Sequence, residues 1–157
     1  AINQWIDQLD QCLKGKKKQE ATWKKRNWFL TPGDWDMLSW LCAILEIFQQ
    51  ATLELSKTGV PTICKILPLY KLIEEHLDTG LCDLELEMDN YGLEDAIQAG
   101  LDKLMTYIDH ALMSDYPLLG TVLHPTIQIS YFEDLSRWDP AIPKRAQVLL
   151  DHLYDNY

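Results

Sequence analysis

Between Thr31 and Pro61 the chain marks both ends of one helix. Thr31-Pro32-Gly33-Asp34 offers an N-cap hydroxyl, a proline at the first helical position where an N–H is not needed, and a carboxylate placed to close a capping box. From there Trp35, Leu38, Leu41, Cys42, Leu45, Phe48, Thr52 and Leu55 recur with helical period. Gly59 suits the left-handed residue that ends a helix, and Pro61 blocks extension. The segment predicts a helix from about Pro32 to Lys57, roughly 35–40 Å long at its standard rise per residue. This is the predicted spine of the domain, with Leu38, Leu41, Leu45 and Phe48 turned toward helices that begin near Pro61 and Leu93.

Helical spacing extends over most of the remaining sequence. Ile2, Trp5, Ile6, Leu9 and Leu13 form one apolar stripe that Lys14-Gly15 ends or bends. Lys16 to Arg26 is polar and reads as either a helix continuation or a loose linker. Pro61 serves as a second helix start, followed by Ile63, Ile66, Leu67, Tyr70, Ile73 and Leu77, with an end expected near Gly80. Pro68 inside that run predicts a kink, because proline removes an intrahelical bond and crowds the preceding turn. The acidic stretch Asp78 to Gly92 is either a frayed helix end or a mobile loop, with a turn at Asn90 to Gly92. A further helix carries Leu93, Ile97, Leu101, Leu104 and Ile108, with Gly100 on its apolar side either admitting a neighbouring helix or simply tolerated. Ile127, Ile129 and Tyr131 alternate as a strand would, but a lone strand has no partner. Short helices on either side of His124-Pro125 are the better reading. The last helix is expected from about Pro143 through Tyr154, and Trp138 before Asp139-Pro140 is expected to anchor a turn. The fold class is all-α, an irregular bundle of about six helices with a long central helix.

At 157 residues the chain is about one domain long. Its net charge of −10 is uneven, with residues 1–30 at +4 and residues 31–157 at −14. The expected organisation is one helical domain over 1–157, a basic lead (1–30) followed by an acidic helical core (31–157). The acidic body repels nucleic acid, so only the lead can attract phosphate. There Trp23 and Trp28 flank Lys24, Lys25, Arg26 and Asn27. Basic residues interleaved with aromatic rings bind phosphate and stack on exposed bases. The candidate nucleic-acid-binding residues are Lys16, Lys17, Lys18, Lys24, Lys25, Arg26 and Trp28. The competing reading has the rings covering the first helices and the lysines facing water. Trp35 and Trp40 are expected to pack.

Chemistry is sparse. Cys12, Cys42, Cys64 and Cys82 form no C-x-x-C pair, and His76, His110, His124 and His152 are scattered, so a zinc site is not expected. Cys42 and Cys64 fall on apolar stripes as small hydrophobes, which suits an intracellular, reducing compartment. No glycine-rich phosphate loop, H-E-x-x-H or G-x-S-x-G is present. Glu74, Glu75, Asp78, Asp83, Glu85, Glu87 and Asp89 read as a solvated face rather than a metal-dependent nuclease centre. No apolar run approaches the roughly 20 residues that span a bilayer, so no membrane partner is expected. No charged region followed by an apolar one opens the chain as a signal peptide would. A start at Ala1 without an initiator Met suits a fragment of a longer chain.

The order of the motifs adds a resemblance. "AINQW" leads to "WFLTPGDWDMLSWLCAILEIFQQATLELS", then "PTICKILPLYKLIEEHL", "AIQAGLDKLMTYI", "YPLLGTVLHPTIQISYF" and a closing Trp138 with "RAQVLLDHLYDNY". Over nearly its whole length the chain resembles the central all-helical insertion region of hAT-family transposases of the fungal type, without their RNase H-like catalytic core. Leu30 and Trp35 match the family's helix start, and Ala51, Thr52 and Ser56 its end. Pro61, Thr62 and Pro68 match the next helix, and Lys103 and Tyr107 the one after. One departure is plain, since the family's L-D-P reads Leu123-His124-Pro125 here. Aspartate accepts turn hydrogen bonds, and histidine does so only through one ring nitrogen, which fits a decayed or repurposed copy.

The resemblance implies a parent chain that cuts and pastes DNA with three acids, two upstream of this segment and one downstream near a dimerisation region. The family's functional tryptophan lies before Ala1, and its zinc finger is absent. No catalytic residue and no cofactor fall in this segment, which is not itself expected to be an enzyme; a divalent metal belongs to the missing core. The implied partners are DNA through the basic lead, further copies of the chain, and the parent catalytic core, with a nuclear location. The alternative is a helical protein-interaction module with no nucleic-acid role.

Overall fold

The computed structural model describes residues 1–85 and 92–156. Among them are seven α-helices and no strand, so the all-α expectation holds. They are α1 (Ile2–Gln8), α2 (Lys16–Trp28), α3 (Pro32–Leu55), α4 (Ile66–Glu85), α5 (Leu93–Met113), α6 (Asp115–Val122) and α7 (Ala141–Asp155). Two 3₁₀ turns, Ile63–Lys65 and Ile129–Glu133, precede α4 and follow α6. None of the described helices is long and apolar enough to cross a membrane. The chain divides into two compact units, Ala1–Ala43 and Ile44–Tyr157. The division falls inside α3, not at residue 30 where the charge changes sign.

In the first unit, residues 16–28 are helix rather than linker. Asn3 clasps the chain after α2, donating from Nδ2 to the Leu30 carbonyl at 2.8 Å and accepting the Leu30 N–H at 3.2 Å. Ile6 and Ala21 are buried, while Ile2 and Trp5 of the expected stripe stay more than half exposed. A helix as short as α1 has only about two turns with which to bury a face, and Ile6 is its one buried residue. The capping box at the start of α3 forms as read. The Asp34 carboxylate accepts the Thr31 N–H at 2.8 Å, and the Thr31 hydroxyl accepts the Asp34 N–H at 3.2 Å. At the other end of α3, Gly59 has φ +80°, a conformation that costs glycine little.

Leu38 and Leu41 of the predicted face of α3 are half-buried, but beyond them the buried face is not the predicted one. Ile44, Ile47 and Ala51 are buried, whereas Leu45 is 52% exposed and Phe48 39%. Two adjacent apolar stripes run along this helix, and tertiary packing has taken the other one. Cys42 is exposed rather than packed. Trp35 is partly exposed at 38%. The expected spine role also moves, because the main helix pairing of the second unit is α4 with α5. Those two helices bury Ile73, Leu77 and Leu84, and Ile97, Leu101, Leu104 and Ile108 respectively.

α4 starts at Ile66 and runs past Gly80 to Glu85. Pro68 therefore sits in its first turn, where an N–H has no intrahelical acceptor, rather than in a helix interior that it would kink. The acidic stretch is helical as far as Glu85, and Leu86 to Tyr91, with Glu87, Asp89 and most of the expected turn, lie outside the described residues. Gly100 faces open space, so it serves no close approach. Gly120 does: a Cβ there would lie 2.9 Å from Ile63 Cγ2, which brings α6 against the 3₁₀ turn before α4. The core of this unit gathers Leu67, Leu118, Val122, Phe132, Trp138 and Ala146. Tyr131, Phe132 and Trp138 pack edge to face with centroids 5.2–5.6 Å apart. Arg145 of α7 donates to the Leu112 and Met113 carbonyls at the end of α5 and pairs with Asp115, which places a cation where the helix dipole is negative.

Candidate functional site

The seven residues read as a nucleic-acid lead all lie on α2. At 3.6 residues per turn, Lys17, Lys24 and Trp28 share one side of that helix, Lys18 and Lys25 a second, and Lys16 and Arg26 lie away from both. Ala21 is the buried residue between them. The basic residues are therefore spread around the helix instead of forming one patch. Lys24 and Trp28 are brought together, with the ammonium 5.8 Å from the ring centroid. Trp28 is 48% exposed and Trp23 65%. Neither ring is absorbed into a core, so both remain open to stacking.

Lys25 is drawn away from this role. Its ammonium lies 3.1 Å from the Asp7 carboxylate and 3.8 Å from that of Asp10. The Asp7 hydrogen bond, aided by the charge of Asp10, raises the Lys25 pKa above its ordinary value. Lys17 and Lys24 border a shallow groove of about 340 Å³ floored by Leu9, Leu13 and Ala21, with Glu20 at its edge. The groove offers two cations, one carboxylate and an apolar floor.

A second concave feature lies in the other unit, and no sequence motif pointed to it. The loop after α3, the 3₁₀ turn Ile63–Lys65 and the turn after α6 enclose a cleft of about 640 Å³. Lys57, Val60 and Pro61 form one wall and Ile63, Cys64 and Lys65 the next. Gly120, Leu123, His124 and Pro125 complete it. Glu54 staples the first two walls, pairing with Lys57 and, at 2.6 Å, with Lys65. Hydrogen bonds from Lys57, then from Lys65, hold the Glu54 carboxyl down to about 2. The Thr121 hydroxyl lies 2.8 Å from the Pro117 carbonyl and 3.2 Å from that of Cys64, tying α6 to the 3₁₀ turn.

His124 behaves as a turn residue. Its Nδ1 accepts the Thr126 N–H at 3.4 Å and lies 3.1 Å from the Thr126 hydroxyl. One ring nitrogen thus does the turn work of an aspartate oxygen. Among the described residues no cluster of His, Cys, Asp and Glu is arranged to hold a metal ion. In comparison with known proteins, no family model, no curated protein and no solved structure matches the chain.

Proposed function

We propose that this chain is the helical insertion region of an hAT-type DNA transposase or of a domesticated derivative. It supports transposition in the nucleus through architecture and through DNA or subunit contacts, and leaves catalysis and its divalent metal to a separate core. The observation that carries this reading is where the shared motifs fall on the fold. Leu30 and Trp35 flank the start of α3, and Thr52 and Ser56 close its end, where the Ser56 N–H bonds the Thr52 carbonyl. Pro61, Thr62 and Pro68 bracket the start of α4, and His124-Pro125 turns the chain after α6. What resembles the family is thus the punctuation of a scaffold, and in this reading the Lys17, Lys24 and Trp28 side of α2 is its phosphate-binding face.

Fluorescence anisotropy with labelled single- and double-stranded oligonucleotides over a salt series tests this. Binding should be weak, indifferent to sequence and steeply reduced by salt. On duplex DNA, log K should fall against log salt concentration with a slope of about 0.9 for each phosphate engaged. Joint replacement of Lys17, Lys24 and Arg26 by Gln should flatten that slope with the helix content unchanged. Lys25 is left out because Asp7 and Asp10 engage it. Trp28→Ala should reduce affinity without lowering stability if the ring stacks on bases. Absence of binding at low salt would make α2 a solvated face and remove DNA contact from the proposal.

The −14 balance of residues 31–157 favours one rival, a protein-interaction module. Pull-down from cell extract with and without nuclease separates the two, because a partner held through nucleic acid is released on nuclease treatment.

A further inference from the structure

The 640 Å³ cleft beside α6 is of the size that binds ligands, about 300–1,000 Å³. Its charge is the reverse of its surroundings. Residues 31–157 hold seven Lys and Arg against twenty-one acids. Yet among the described residues the ionisable groups lining the cleft are Lys57, Lys65, His124 and the Cys64 thiol, with no carboxylate. Glu54 balances one of the two ammonium charges, so one positive charge is left over. Each ammonium has three donors, and one bond to Glu54 leaves the others for an incoming acceptor. The remaining wall is apolar and still wet: Val60 is 53% exposed, Leu123 56% and Ile63 38%.

We propose that this cleft docks a peptide segment that sets a carboxylate beside apolar side chains. The carboxylate takes the ammonium donors that Glu54 leaves free on Lys57 and Lys65, and the apolar side chains cover Val60, Ile63 and Leu123. A peptide fits better than a free amphiphile because the walls are open. Binding pockets bury most of a small ligand, whereas these walls would leave an alkyl chain partly in water. A peptide can leave the cleft with its polar backbone solvated. The Glu54 staple and the Thr121 tie hold the walls in place beforehand, which lowers the ordering cost of binding. The proposal stands on the cleft alone and is independent of the transposition reading.

The test uses the whole chain and a fluorescein-labelled synthetic peptide, DLELEMDNY, a run of this sequence used only as a free acidic and apolar probe. Its control carries Asn and Gln at every acidic position. Anisotropy should show the acidic peptide binding at least about tenfold tighter than the amide control. Leu123→Asp places a negative charge on an exposed wall and should weaken binding about tenfold with an unchanged melting temperature. Lys57→Gln should weaken it as well, and Lys144→Gln, outside the cleft, should not. Equal binding of the two peptides, or no binding at about 1 mM probe, would overturn the proposal. So would decanoate binding with no peptide binding, which would assign the cleft to a free amphiphile.

Discussion

At the residue scale, burial decides which side chains carry stability. Leu45 lies on the more regular apolar stripe of α3, but it is half exposed, and Ile47 on the adjacent stripe is buried. Leu45→Ala should therefore cost less than about 1 kcal/mol, and Ile47→Ala about 2–5 kcal/mol, in urea denaturation. Equal costs would mean that the face assignment is wrong. Glu54 offers a test by pH. Its folded-state pKa of about 2 lies below the ordinary 4.5, so its stabilising share is present above about 4.5 and lost as the pH falls toward 2. Melting temperatures across that window should fall less steeply for Glu54→Gln than for the unsubstituted chain, since the glutamine has no charge to lose. Parallel curves would remove the Lys57 and Lys65 bonds as the cause.

At the element scale, what was readable depended on how local the forces are. The capping box at Thr31 and Asp34 spans four residues, so its geometry follows from the sequence with no help from the rest of the fold. Thr31→Ala and Asp34→Ala should each cost about 1 kcal/mol, and the double variant little more than either, because both break one reciprocal unit. Full additivity in thermal denaturation would mean that the box is not cooperative. The rotation of α3 about its axis was not readable. Leu38, Leu41, Leu45 and Phe48 and the neighbouring Ile44, Ile47 and Ala51 are both apolar series at helical spacing, and only a tertiary partner chooses between them. Pro68 misled for a related reason. Its effect depends on whether it falls in a first turn or an interior, and a 3₁₀ turn before α4 moved the helix start. Of the candidate lead, the basic and aromatic residues were legible. The removal of Lys25 by Asp7 and Asp10 was not, because α1 and α2 must first fold back on each other.

At the scale of the whole molecule, the core of the second unit is assembled from helices far apart in sequence. Leu118 is fully buried in it, and Leu118→Ala should cost about 2–5 kcal/mol while the far-UV circular dichroism stays helical. A loss of helical signal at about 25 °C would mean that the unit has less stability than such a deletion removes. The cleft escaped the sequence for the same reason, because its walls come from segments about residue 60 and about residue 122 that no local pattern connects. The Thr121 hydroxyl also has a consequence in time. Pro68 offers no N–H to the Cys64 carbonyl four residues before it, and the hydroxyl that reaches this carbonyl comes from 57 residues further along the chain. During synthesis the start of α4 leaves the ribosome well before its partner exists. Until α6 has been made and has docked, that end of the helix is exposed to water, and a stalled or truncated product would present it as an open target for proteases and chaperones.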